Sequence, residues 1–182
     1  MSNFREIKFM EKKEKIFDKA AEVFTEKGYE KATVEEIAAR VKMTKGNLYY
    51  YFKGKEDILF QSLIRAHSLA IEVLSKIAEK RGISPVEKLT LAIKEHIKIL
   101  TRRFVYGTLR QQELLLPVEL RKAVLEKRDE FQRIFIGIVQ EGIEEGCFKK
   151  VNLKMISFAI LGAVNWIARW YSPNGPLSPE EI

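Results

Sequence analysis

Apolar residues recur at helical spacing along nearly the whole chain, and no segment alternates with period two for long. Ile16, Ala20, Val23 and Phe24 form an i, i+4, i+7, i+8 stripe, which predicts a first helix over residues 7–27, stopped by Gly28. Thr33 and Glu36 read as a capping box, the hydroxyl taking an orphan N–H while the carboxylate reaches back. Thr44 caps a second short helix over about 45–51. A long helix follows over 55–80, with Glu56 and Asp57 in its positive first turn, and Gly82 ends it. Ser84 and Glu87 make a second capping box around Pro85, opening a helix that runs to about 103. A shorter helix over 104–115 surrounds Gly107, Pro117 starts a long one that ends at Gly146, and Asn152 caps the last, over 153–171. The fold class is all-α.

Composition narrows the partners. A 182-residue chain that is 46% hydrophobic can bury a real core in one domain, or in two that share it. Its 32 Lys+Arg against 25 Asp+Glu leave +7, which suggests an anionic partner without choosing one. A single cysteine, Cys147, excludes a disulfide framework or a cysteine zinc site, and two histidines leave little for a metal centre, so neither metal nor cofactor is expected. His67 and His96 fall on different predicted helices with no clear carboxylate partner and read as surface or satisfied core residues. The charged N-terminus has no signal-peptide core, and the longest apolar stretch, 156–171, is interrupted by Ser157, Asn165 and Arg169. A cytoplasmic protein with no membrane partner is expected. Nucleophile elbow, phosphate loop, HExxH and catalytic carboxylate pair are all missing from the sequence, which argues against an enzyme.

The segment 33–55, TVEEIAARVKMTKGNLYYYFKGK, carries the chemistry. Two short helices meet at the small residue Ala38, with Ile37, Val41, Met43, Leu48 and Tyr51 at packing positions and Lys42 at the turn. The turn position favours a left-handed backbone, which a non-glycine residue adopts at a cost of about 1–2 kcal/mol. From Arg40 to Lys55 there are five basic residues (Arg40, Lys42, Lys45, Lys53 and Lys55) and no acidic one. Because each neutralised phosphate releases counterions, this local excess weighs more than the global one. Tyr49, Tyr50 and Tyr51 sit on three sides of one turn, so at least one of them, Tyr49 or Tyr50, faces outward.

From about Ile16 to Leu59 the chain resembles the DNA-binding signature of the TetR/AcrR regulators. The resemblance implies a three-helix DNA-binding domain over 1–53 and a helical effector-binding and dimerisation domain over 54–182. It places Lys45, Gly46, Asn47 and Tyr49 in the DNA groove, and Thr33, Thr44, Tyr50 and Lys55 on phosphates. It also implies repression at a palindromic operator in double-stranded DNA.

The last predicted helix is apolar on nearly every side, so it needs cover all round. A partner subunit is the simplest cover, and a central position in a monomer is the alternative. Ala159, Gly162, Ala163 and Trp166, with Phe131, Phe135 and Ile138 of the preceding helix, are the candidate homodimer interface. Phe60, Ile64, Phe104, Tyr106, Leu109 and Leu116 are candidates for an effector-pocket wall, and Arg102, Arg103 and Arg110 for an anionic anchor. The ending NWIARWYSPNGPLSPEEI resembles the fatty acyl-CoA-responsive subgroup, which implies a long apolar tunnel with basic residues for the CoA phosphates. Ser178 and Glu181 make a further capping box, after which the resemblance leads one to expect another helix. The competing reading is a helical acyl-group or lipid carrier, or an adaptor, that does not act on DNA.

Overall fold

The computed structural model describes residues 2–102, 113–172 and 174–182. Among them lie seven α-helices and no strand: α1 (Ser2–Lys27), α2 (Val34–Val41), α3 (Lys45–Tyr49), α4 (Lys55–Ala78), α5 (Pro85–Arg102), α6 (Val118–Glu144) and α7 (Leu153–Trp170). α1 begins well before residue 7, since no breaker interrupts it and Phe9 stacks on Tyr51 with ring centroids 5.0 Å apart. α3 and α4 end slightly earlier than their patterns predict. The helix expected over 104–115 lies outside the described residues except for Glu113–Leu115, a single 3-10 turn.

α1, α2 and α3 close around one apolar cluster that includes Ile16, Phe24, Ile37, Ala38 and Leu48. The first turns of α4 complete it with Ile58, Leu59 and Leu63, and Leu116 and Val124 cover its far side. Farther along α4, Ala70, Ile71 and Leu74 enter a second cluster with Ala92 of α5 and Phe131, Phe135, Ile138 and Val139 of α6. A third cluster joins Ile97 and Leu100 of α5 to Val164 and Ile167 of α7. One helix therefore belongs to both the N-terminal and the C-terminal cores.

This packing corrects part of the dimer assignment. Phe131, Phe135 and Ile138 are buried inside the chain, facing α4 and α5, and cannot form an interface with a second copy. It corrects the pocket wall too. Leu116 is core, and Phe60 and Ile64 pack against the N-terminal cluster.

The caps read at Thr33, Thr44, Ser84 and Asn152 form as expected, whereas Ser178 and Glu181 close only a turn, the Ser178 N–H donating to Glu181 Oε2 at 2.8 Å with no helix over 178–182. Thr33 Oγ1 accepts from the Glu36 N–H at 3.2 Å, and the Thr33 N–H donates to Glu36 Oε2 at 3.2 Å. Lys27 also pairs with the Glu36 carboxylate. Thr33→Ala should cost about 0.5–2 kcal/mol of stability, measured by urea unfolding. The Lys27 ammonium, together with the Thr33 N–H, holds the Glu36 carboxyl below its ordinary value. The contribution of that carboxylate is present above the unfolded pKa and is lost as pH falls through the lower folded one.

Candidate nucleic-acid interface and internal cavity

α2 and α3 cross at Ala38 through a tight turn. Its pivot, Lys42, has φ 59° and ψ 50°, the left-handed conformation required of that position. The Lys42 and Met43 N–H groups donate to Ala39 O and Ala38 O at 3.0 and 2.8 Å, which closes α2. Thr44 Oγ1 then accepts from the Asn47 N–H at 3.2 Å and opens α3. Leu48 is fully buried and anchors the helix, so its neighbours Lys45, Gly46, Asn47 and Tyr49 are turned to solvent. A Cβ at Gly46 would meet nothing within 4 Å, leaving the helix surface there flat and open to close approach. Of the three tyrosines, Tyr49 is 45% and Tyr50 76% exposed, while Tyr51 is half-buried under Phe9. Both tyrosine hydroxyls offered for contact therefore stand on the outer face.

The five local cations divide into different roles. Arg40 is held by Glu26 and Glu22 of α1, which raises its pKa and ties α2 to α1. Lys55 is also committed internally. Its ammonium donates to the carbonyl oxygens of Tyr29, Glu30 and Ala32 at 2.9, 3.0 and 3.2 Å, pinning the start of α4 to the turn between α1 and α2. This uses the three N–H donors that a phosphate contact would need, so a structural clamp replaces the expected phosphate ligand. Lys45 pairs with Glu35 at 2.5 Å, but both groups are more than half exposed, so an incoming phosphate can replace the carboxylate at little cost. Lys42 and Lys53 are exposed.

A cavity of about 330 Å³ lies between α4, α5, α6 and α7. His67 and Ala70 line it from α4, His96 from α5, Arg128, Asp129, Phe131 and Gln132 from α6, and Phe158, Leu161, Gly162 and Asn165 from α7. His96 Nε2–H donates to Asn165 Oδ1 at 3.0 Å, and its ring lies on Phe131 with centroids 4.8 Å apart. Gln132 donates to Ser157 Oγ at 3.1 Å, and Arg128 to Glu113 Oε1 at 3.1 Å. Both histidines of the chain thus line one cavity, a juxtaposition that sequence spacing does not reveal. Phe60 and Ile64 do not line it, and among the described residues its walls mix polar and apolar groups and form no long apolar tunnel. The Arg102 side chain and residues Arg103, Phe104, Tyr106, Leu109 and Arg110, the remaining candidates, lie outside the described residues.

α7 is two-sided. Ser157, Val164 and Ile167 face inward, while Met155, Ala159, Ala163, Trp166 and Trp170, together with Phe158 and Gly162 where the cavity meets the surface, form a continuous outer face. Trp166, at its centre, is 58% exposed. A monomer rarely leaves so long an apolar strip in water.

The same architecture recurs in known proteins. A family model described as "Tetracyclin repressor-like, C-terminal domain" matches residues 82–182, and one described as "Bacterial regulatory proteins, tetR family" matches residues 16–61. The chain belongs to the tetR family of bacterial regulatory proteins. It is a helix-turn-helix transcriptional regulator, and membership decides against the carrier or adaptor that composition had left open. The fatty acid metabolism regulator protein of Bacillus subtilis is 31% identical over 152 residues, covering 82% of this chain and 78% of that protein. The tetR-family regulator PfmR from Thermus thermophilus superposes with a TM-score of 0.84 at 30% identity over 91% of each chain. AibR, solved in complex with isovaleryl coenzyme A and operator DNA, superposes at 0.77 with 28% identity, over 93% of this chain and 92% of its own.

Proposed function

We propose that this tetR-family regulator is a homodimeric repressor that holds a pseudo-palindromic operator and releases it when a small amphipathic acyl thioester enters the cavity between α4 and α7. The observation that carries the reading is the double membership of α4. Its first turn is clamped by Lys55 to the DNA-binding unit, and about 18 Å farther on, at a 1.5 Å rise per residue, His67 and Ala70 line the cavity. A ligand that shifts α4 at His67 must therefore move the α1–α3 unit or strain the clamp. In a two-fold dimer that movement changes the separation of the two recognition helices.

Residues 1–53 act as the DNA-binding unit and 54–182 as the effector and dimerisation unit. Lys45, Gly46, Asn47 and Tyr49 read the groove, while Thr33, Thr44 and Tyr50 face the flanking phosphates, a role supported by their exposure. Two copies pair through the outer face of α7 around Ala159, Gly162, Ala163 and Trp166. The related fatty acid metabolism regulator and the AibR complex with isovaleryl coenzyme A support an acyl-CoA effector. The cavity volume favours a short or branched acyl group.

The test is release of operator DNA, followed by fluorescence anisotropy, across acyl-CoAs of increasing chain length. Short thioesters should release the duplex, and Asn165→Leu should weaken release about tenfold or more with DNA affinity unchanged, because it removes the acceptor of His96 at the cavity wall. Failure of every chain length to bind or release would overturn the effector while leaving the regulator standing.

A further inference from the structure

The first half of α1 lies outside the match to the family's DNA-binding region, which begins at residue 16, and outside every DNA contact assigned above. Its basic residues are not scattered. Arg5, Lys8, Lys12 and Lys15 follow i, i+3, i+7 and i+10, so at 3.6 residues per turn they occupy about a quarter of the helix circumference. All four stand in the solvated outer layer of the helix, and none forms an ion pair among the described residues. The carboxylates Glu6, Glu11 and Glu14 fall outside that quarter.

The stripe is held at a fixed place beside the recognition helix. Phe9, next to the stripe on the helix circumference, stacks on Tyr51 at 5.0 Å and meets Tyr50 edge-on at 6.0 Å. On the other side of Phe9, Lys13 donates to Gln61 of α4 at 2.5 Å and lies over the Phe52 ring, fixing the rotation of α1. The cations thus extend from Tyr50, itself on the outer surface at the end of α3, away from the helix-turn-helix.

We infer that Arg5, Lys8, Lys12 and Lys15 form a second DNA surface, a rail for the phosphates that flank each operator half-site. This rests on the regulator reading above. The spacing suits the partner: the four positions span about 15 Å of helix, and duplex phosphates repeat at a few ångströms along the backbone. The rail supplies affinity and register and reads no bases. An anionic membrane is the less favoured partner, because Glu6, Glu11 and Glu14 share the side of α1 that exposes Phe4, Ile7 and Met10.

The test uses the full chain and a duplex selected by that chain from a random library, prepared with long flanks and also trimmed to the selected core. The variant is R5Q/K8Q/K12Q/K15Q, whose positions lie outside the buried core, so its circular dichroism and thermal midpoint should stay close to those of the parent. On the long duplex its salt dependence should flatten by about 0.9 per lost contact, and affinity should fall by tenfold or more at moderate salt. Parent and variant should bind the trimmed duplex alike and select the same core sequence. An unchanged salt slope on the long duplex overturns the rail. So does a variant that keeps full DNA affinity but loses binding to phosphatidylglycerol vesicles, which would reassign the stripe to a membrane. If the unmodified chain selects no sequence at all, it is the regulator reading that fails.

Discussion

Lys45→Glu combined with Tyr49→Ala should lower affinity for the selected operator by about 100-fold or more, with little change in thermal stability. The two side chains flank Gly46 and Asn47 on the outer face of α3, and the buried Leu48 that anchors the helix is untouched. Loss of a good base contact costs about 1–3 kcal/mol, so two losses together give a factor of this size. The charge reversal adds a further penalty, since it sets a second carboxylate beside Glu35, whose partner was the Lys45 ammonium. Gel shifts at several salt concentrations would check it, with a shallower slope for the double variant. Unchanged affinity would mean that α3 does not enter the groove.

A second large effect is expected from Ala163→Glu combined with Trp166→Glu. Both residues stand on the outer face of α7, where the proposed dimer brings a second α7 into contact across its two-fold axis. The pair would bury four carboxylates per dimer without counterions, a desolvation cost that exceeds what an interface of ordinary size returns. Sedimentation should give a dimer for the parent and a monomer for the variant. Operator affinity should fall about 1,000-fold, because the two recognition helices are no longer linked and each half-site is then bound independently. The monomer should keep its helicity, since Val164 and Ile167, the inward residues of α7, are unchanged. A variant that stays dimeric would move the interface elsewhere.

What was legible in the sequence was whatever depends on short-range spacing. Thr33 and Glu36 are three residues apart, and Lys42 sits between two packed helices, so capping and the left-handed turn follow from local chemistry. The Leu48 anchor and the exposure of Tyr49 and Tyr50 follow from the same periodicity. Long-range pairing was not legible. α6 carries apolar residues on more than one side, and only the position of α4 and α5 decides that Phe131, Phe135 and Ile138 face inward. The partners of Lys55 are three backbone carbonyls in the turn between α1 and α2, groups that have no side-chain signature. The positive cluster at 40–55 was partly neutralised by Glu22 and Glu26, which pattern reading had placed in another element. His67 and His96 meet at one cavity because α4 and α5 cross there, and Asn165, the partner of His96, lies on α7. Each is a tertiary fact joining groups distant along the chain, too sparse to stand out in a single sequence.

Two copies of this chain should read a specific two-fold DNA site through α3. Selection of the full chain against a library of random duplexes, followed by sequencing, tests it most directly. Enrichment of an inverted repeat whose half-site centres lie about one helical turn apart, or a multiple of it, is expected, with loss of that enrichment in the Lys45→Glu, Tyr49→Ala variant. Recovery of sequences with no common motif, or of the same motif by both proteins, would contradict it.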